Sequence, residues 1–132
     1  MPQLVKGGKW VYGWVIVGRG RELPIPPDAW YEYGFCVGDV VMFVPGSQRS
    51  GGFALCHARL LAGAAVRLQK RALAQGCIAE PGMVSLPPEV AVRPGDCLLA
   101  VRGSGRGLGF VAQGPIFQEA LGHPELVCFD PP

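Results

Sequence analysis

The feature that most narrows what this chain can fold into is a repetition within it. Ile25-Pro26-Pro27-Asp28 returns as Leu86-Pro87-Pro88-Glu89, 61 residues later. Val37-Gly38-Asp39 through Pro45-Gly46-Ser47 returns as Pro94-Gly95-Asp96 through Arg102-Gly103-Ser104, with Gly95 lying 57 residues after Gly38. Phe53 then falls on Phe110, each six residues beyond its serine. Four landmarks in one order identify a duplicated unit. The 132 residues are enough for one ordinary domain or two very small ones, and a unit of about 60 residues has only a marginal core of its own. The two copies are therefore expected to complete their cores by packing together.

Each copy reads as two strands, a short helix and two more strands. Trp10–Val17 is apolar and rich in β-formers, and Gly18-Arg19-Gly20-Arg21 turns it back into Leu23–Ile25. Pro27 suits the first helical turn, where its missing N–H has no partner to lose, and Asp28 lies at the positive end of the helix dipole. That helix is expected over Pro27–Tyr33, with Gly34 ending it. Val37-Gly38-Asp39 turns into a strand over Val40–Val44, and Gly51-Gly52 lead into Phe53–Cys56. Asp39 and Asp96 follow glycine in these turns, where a carboxylate accepts from nearby backbone N–H groups. The second copy offers Gly76–Ala79, Met83–Leu86, Cys97–Val101 and Gly109–Ala112 in the same roles. Its helix is cut short: ten residues separate Asp28 from Gly38 but six separate Glu89 from Gly95, a loss of about one turn.

Glycine and proline make up a quarter of the chain, but the hydrophobic fraction of 49% excludes a disordered polymer. No apolar run reaches the roughly 20 residues that span a bilayer, and Met1–Lys6 has no signal-peptide core, so a cytoplasmic protein is expected. Cys36, Cys56, Cys77, Cys97 and Cys128 are about 20 residues apart. That spacing fits neither a disulfide framework nor a zinc site, and buried or inert thiols are expected. His57 and His123 stand without ligand-spaced partners, so no metal, no cofactor and no enzymatic activity are expected. Trp10, Trp14 and Trp30 are expected to anchor the core. Charge is uneven: residues 1–75 carry a net of +5 and residues 76–132 a net of −3.

The motifs resemble a known family. Gly20-Arg21, Ile25-Pro26, Gly34-Phe35 and Gly38-Asp39 in the first copy, and Gly82 to Pro87 followed by Arg93-Pro94-Gly95-Asp96 in the second, resemble the SpoVT-AbrB-like swapped-hairpin domain of MazE-type antitoxins and bacterial transition-state regulators. The resemblance implies a mainly β fold with short helices: a duplicated swapped-hairpin (AbrB-like) β-barrel forming an interleaved pseudo-dimer within the chain, with further self-association open. Residues 9–57 are then the first AbrB-like unit, 58–69 a linker, 70–112 the second, shortened unit and 113–132 a C-terminal tail. Pro26, Pro27, Gly38, Asp39, Pro87, Pro88, Gly95 and Asp96 form its structural motif.

Family regulators contact double-stranded DNA through basic residues ahead of the proline. The resemblance thus implies a prokaryotic, sequence-tolerant DNA-binding protein, a transcription regulator using Lys9, Arg19 and Arg21 from the first copy and Lys70 and Arg71 from the second. Met83 stands where the second copy is read to repeat Arg21, so contacts are expected to be asymmetric. The alternative is a protein-interaction or antitoxin-like scaffold module that has lost DNA binding, with Ile116–Pro132 either docked on a protein partner or packed on its own domain.

Overall fold

The computed structural model describes residues 3–5, 9–46, 51–58, 73–103 and 107–131, with backbone alone for 3–5, 9 and 10. In chain order the elements are β1 (Gln3–Val5), β2 (Lys9–Ile16), β3 (Glu22–Pro24), α1 (Pro27–Glu32), β4 (Val40–Pro45), β5 (Phe53–His57), β6 (Ala74–Cys77), β7 (Met83–Ser85), β8 (Cys97–Arg102), β9 (Leu108–Val111), α2 (Pro115–Leu121) and β10 (Cys128–Phe129). One sheet runs in the order β1-β2-β8-β9-β5-β4-β6, with β10 paired in parallel to β2, while β3 and β7 form a separate antiparallel pair.

The two halves of the chain are joined by this pairing. β2 lies antiparallel to β8, β6 to β4, and β5 to β9. The turns that feed these strands make the same bonds twice. Gly38 N–H donates to the Ile78 carbonyl at 2.7 Å and Gly95 N–H to the Val17 carbonyl at 2.7 Å. Ile78 N–H donates to Asp39, and Val17 N–H to Asp96. The carboxylates of Asp39 and Asp96 each accept a backbone N–H three residues back, from Cys36 and Arg93, both at 2.8 Å. Beside them, Ile25 N–H donates to Gly82 and Leu86 N–H to Arg21, both at 2.8 Å. Arg21 (φ 61°) and Gly82 (φ 71°) thus hold one backbone role and one left-handed conformation. Glycine adopts it freely, and an arginine must be held there. The counterpart of Arg21 is therefore Gly82, not Met83.

Burial follows the strand period. Along β5, Phe53, Leu55 and His57 point inward, and on β4 Val41 and Phe43 do. Phe43, Phe53 and Phe110 meet at the centre, with Phe53 and Phe110 stacked at 5.0 Å between centroids and Phe43 5.9 Å from Phe53. β8 is buried on both faces over Leu98–Val101 because Leu98 and Ala100 enter this core while Leu99 and Val101 face a second cluster. α2 seals that second cluster, its Phe117 edge-on to Trp14 at 5.1 Å. A register shift between Val11 and Gly13 puts Val11 and Trp14 on the α2 side and Tyr12 and Val15 on the core side. Residues 115–129 thus pack on their own sheet through α2 and β10.

Several expectations are corrected. The sheet is open, with β1 and β6 at its ends, so the closed swapped-hairpin barrel and the interleaved pseudo-dimer do not form; the fold is a small mixed one of sheet and short helices. The local reason lies in β3 and β7. Each is three residues long, cut off by the following prolines, and they pair only with one another, leaving nothing to bridge the ends of the main sheet. The second copy keeps no helix after its proline pair, only a turn in which Val90 N–H donates to Pro87. None of the five cysteines is fully buried: Cys36, Cys77, Cys97 and Cys128 are exposed free thiols and Cys56 is half-buried. Trp14 and Trp30 are half-buried anchors, as expected of them, and the side chain of Trp10 lies outside the described residues.

Candidate functional site

The basic residues expected to face DNA do not gather into a described surface. Arg19 is exposed in the turn before β3. The Lys9 side chain and all of Lys70 and Arg71 lie outside the described residues, as does most of the 58–69 segment. Arg21 points into the protein. Its guanidinium donates to the carbonyls of Pro87 at 2.7 Å and Val90 at 2.8 Å, and to that of Val92. These are the carbonyls of the turn that replaces the missing helix. A planar fork with five donors suits three convergent acceptors, so Arg21 serves the fold.

A polar cluster that the sequence does not advertise lies at the other end of β2. The Tyr12 hydroxyl donates to Glu32 Oε2 at 2.7 Å, and Arg102 pairs with the same oxygen. The Tyr33 hydroxyl donates to the Gly107 carbonyl at 3.0 Å. Burial, and then the bond to Glu32, pushes the Tyr12 phenol well above its ordinary 10.0; burial also raises Tyr33. The bond from Tyr12, and then Arg102, lowers the Glu32 carboxyl. A phenol with a raised folded-state pKa stabilises fully below its unfolded value of 10.0, and that contribution is lost as pH rises through the folded value. Urea unfolding is therefore expected to show stability falling above pH 10, and Tyr12→Phe should flatten that fall while Tyr33 keeps part of it. An unchanged alkaline slope in Tyr12→Phe would remove Tyr12 from the linkage.

His57 is buried against Phe35, ring centroids 4.8 Å apart. Its Nε2 lies 2.7 Å from the Tyr33 carbonyl, which can only accept, so Nε2 carries the proton. Nδ1 lies 3.5 Å from Asp39 Oδ2. A histidine enclosed by a ring, a carbonyl and a turn carboxylate ties α1 to β4 and β5. Among the described residues, no group of three His, Cys, Asp or Glu side chains is placed to hold a metal ion.

β6 is an open strand at one end of the sheet, as β1 is at the other. Its inner side pairs with β4 in the register Val40↔Cys77 to Phe43↔Ala74, and among the described residues no strand covers its outer side. Val40 and Val37, 43% and 53% exposed, stand at the same end of the sheet. No protein-family model, curated protein or solved structure matches the chain. The AbrB-like, swapped-hairpin and DNA-binding labels implied by the resemblance thus find no relative to carry them, and the open sheet conflicts with the barrel they entail. No helix of the described residues is long and apolar enough to cross a membrane.

Proposed function

We propose that the chain is a non-enzymatic protein-interaction module that takes an extended segment of a partner protein onto the outer edge of β6. The supporting observation is the contrast between β2 and β6, which occupy matched places: each lies antiparallel to the strand after a Gly-Asp turn, β2 on β8 and β6 on β4. On β2 the outer edge is covered, with β10 running parallel to it and Trp14 N–H donating to the Val127 carbonyl at 2.8 Å. Gln75, 61 residues after Trp14, holds the same register position on β6. An edge presenting outward N–H and C=O groups is a template for strand addition, with affinity from the main chain and selectivity from alternate side chains.

The test uses the full chain and a peptide of residues 125–131, whose sequence already covers the matched edge. Titrated into isotopically labelled protein, the peptide is expected to shift and protect the amides of Gln75 and Cys77. Gln75→Pro deletes one outward donor and leaves the inner ladder in place, and it should abolish the response. Shifts that avoid β6, or a response only to duplex DNA that fades steeply with salt, would overturn the proposal.

A further inference from the structure

Beside the turn 89–92 lies a cavity of about 450 Å³. Buried Phe53, Val90, Val92 and Leu98 line it together with Leu73 and Ala112, and Glu89, Asp96 and the Gly52 backbone also contribute. Its volume falls in the range of small-molecule sites, and its lining mixes apolar side chains with polar groups.

The other half of the chain shows what the fold places at this position. Before the proline pair, matched residues are 61 apart; after the lost turn they are 57 apart. In the last hairpin the spacing is 55, since Gly46 N–H donates to Gly52 where Gly103 N–H donates to Gly107. Extending the Leu99↔Val111 register by one residue sets Leu98 against Ala112, as Val41 is set against His57. On this correspondence Trp30 is replaced by Ala91, Phe35 by Val92 and His57 by Ala112, while the lost turn removes the place of Tyr33. Each change trades a ring for a small group, and the cavity lies where the rings are gone.

Two of the polar groups beside those rings keep a counterpart. In the first half the Tyr33 hydroxyl donates to the Gly107 carbonyl at 3.0 Å, and His57 Nδ1 lies 3.5 Å from Asp39. Gly52, the counterpart of Gly107, and Asp96, the counterpart of Asp39, both line the cavity, and each brings an oxygen able to accept. We infer that the cavity is a binding site for a small aromatic molecule bearing a hydrogen-bond donor, its ring among Phe53, Val92 and Leu98 and its donor directed at Gly52 or Asp96.

The full chain is titrated with 4-methylphenol and, separately, with 4-methylcyclohexanol, observing the Val90, Val92 and Leu98 methyl groups. Saturable shifts with a dissociation constant on the order of 1 mM are expected for the phenol, a fitting value for so few atoms. The saturated analogue should bind at least about tenfold more weakly, having lost ring stacking. Val92→Phe restores the residue of the first half and should weaken the phenol about tenfold or more; Ala112→His gives a second filled variant should the first not fold. Absence of saturable shifts in the natural chain, equal binding of both probes, or undiminished binding in a folded filled variant would overturn the inference. Because the readout is at the turn 89–92 and not at β6, it is independent of the strand-addition proposal.

Discussion

Arg21→Ala is expected to lower folding stability by about 3 kcal/mol, read as a reduced urea midpoint with an unchanged slope. The guanidinium donates to three carbonyls of the turn 87–92, and no other described side chain donates to them. Hydrogen bonds from a charged donor contribute about 1.5–3 kcal/mol each, fewer in sum because Arg21 is only half-buried and the freed carbonyls recover part of their hydration. Arg21→Lys should recover less than half, since a point charge on a flexible stem cannot reproduce a rigid fork. Arg21→Gly should be less harmful than Arg21→Ala by roughly 1 kcal/mol, because the position has φ 61° and alanine is strained there. An arginine held in solvent for phosphate contacts predicts otherwise: stability within about 0.5 kcal/mol of the natural chain, and a loss seen only in salt-dependent DNA retention. That result would return Arg21 to the surface role suggested by its Gly-Arg motif.

Arg21 also shows where a sequence stops being legible. Its motif is local, and locally an arginine in a glycine-rich turn is a solvated charge; only the meeting of β3 with β7 brings it over the carbonyls of residues 87–92. Features that depend on a few neighbouring residues were readable. The Gly-Asp turns, the proline-started helix ended by Gly34 (φ 65°) and the strand cores all lie within a residue or two of their expected places. Closure was not readable, because it depends on whether two three-residue strands can extend to meet the ends of the main sheet. The missing helical turn was visible as a spacing, six residues against ten, but its consequence was not: a gap in sequence becomes a cavity only when the surrounding strands keep their positions. The equation of Phe53 with Phe110 failed by two residues for a similar reason. Gly52 lies six residues past Gly46, and Gly107 only four past Gly103, so the shorter loop slides the match to Leu55 while preserving the face. The two phenylalanines are neighbours across the β5–β9 ladder instead.

That cross-ladder contact sets the other large effect. Phe110→Ala should cost about 3–5 kcal/mol, the range for removing a buried phenylalanine that cannot be replaced by collapse. Phe110 is 1% exposed, stacks on Phe53 and is held in a strand between β8 and β5, so the surrounding backbone has little freedom to close the void. Because the ring from one half of the chain fills the core of the other, unfolding followed at Trp30, before the lost turn, and at Val101, beyond it, should shift together and by the same amount. A double-mutant cycle with Phe53→Ala should return a coupling of about 0.5–1.5 kcal/mol, the worth of an aromatic pair beyond its buried area. Two transitions, with Trp30 unmoved by Phe110→Ala, would mean that each half folds on its own core. The duplicated motifs would then be separate units, and both the edge of β6 and the cavity beside residues 89–92 would lose the shared sheet that positions them.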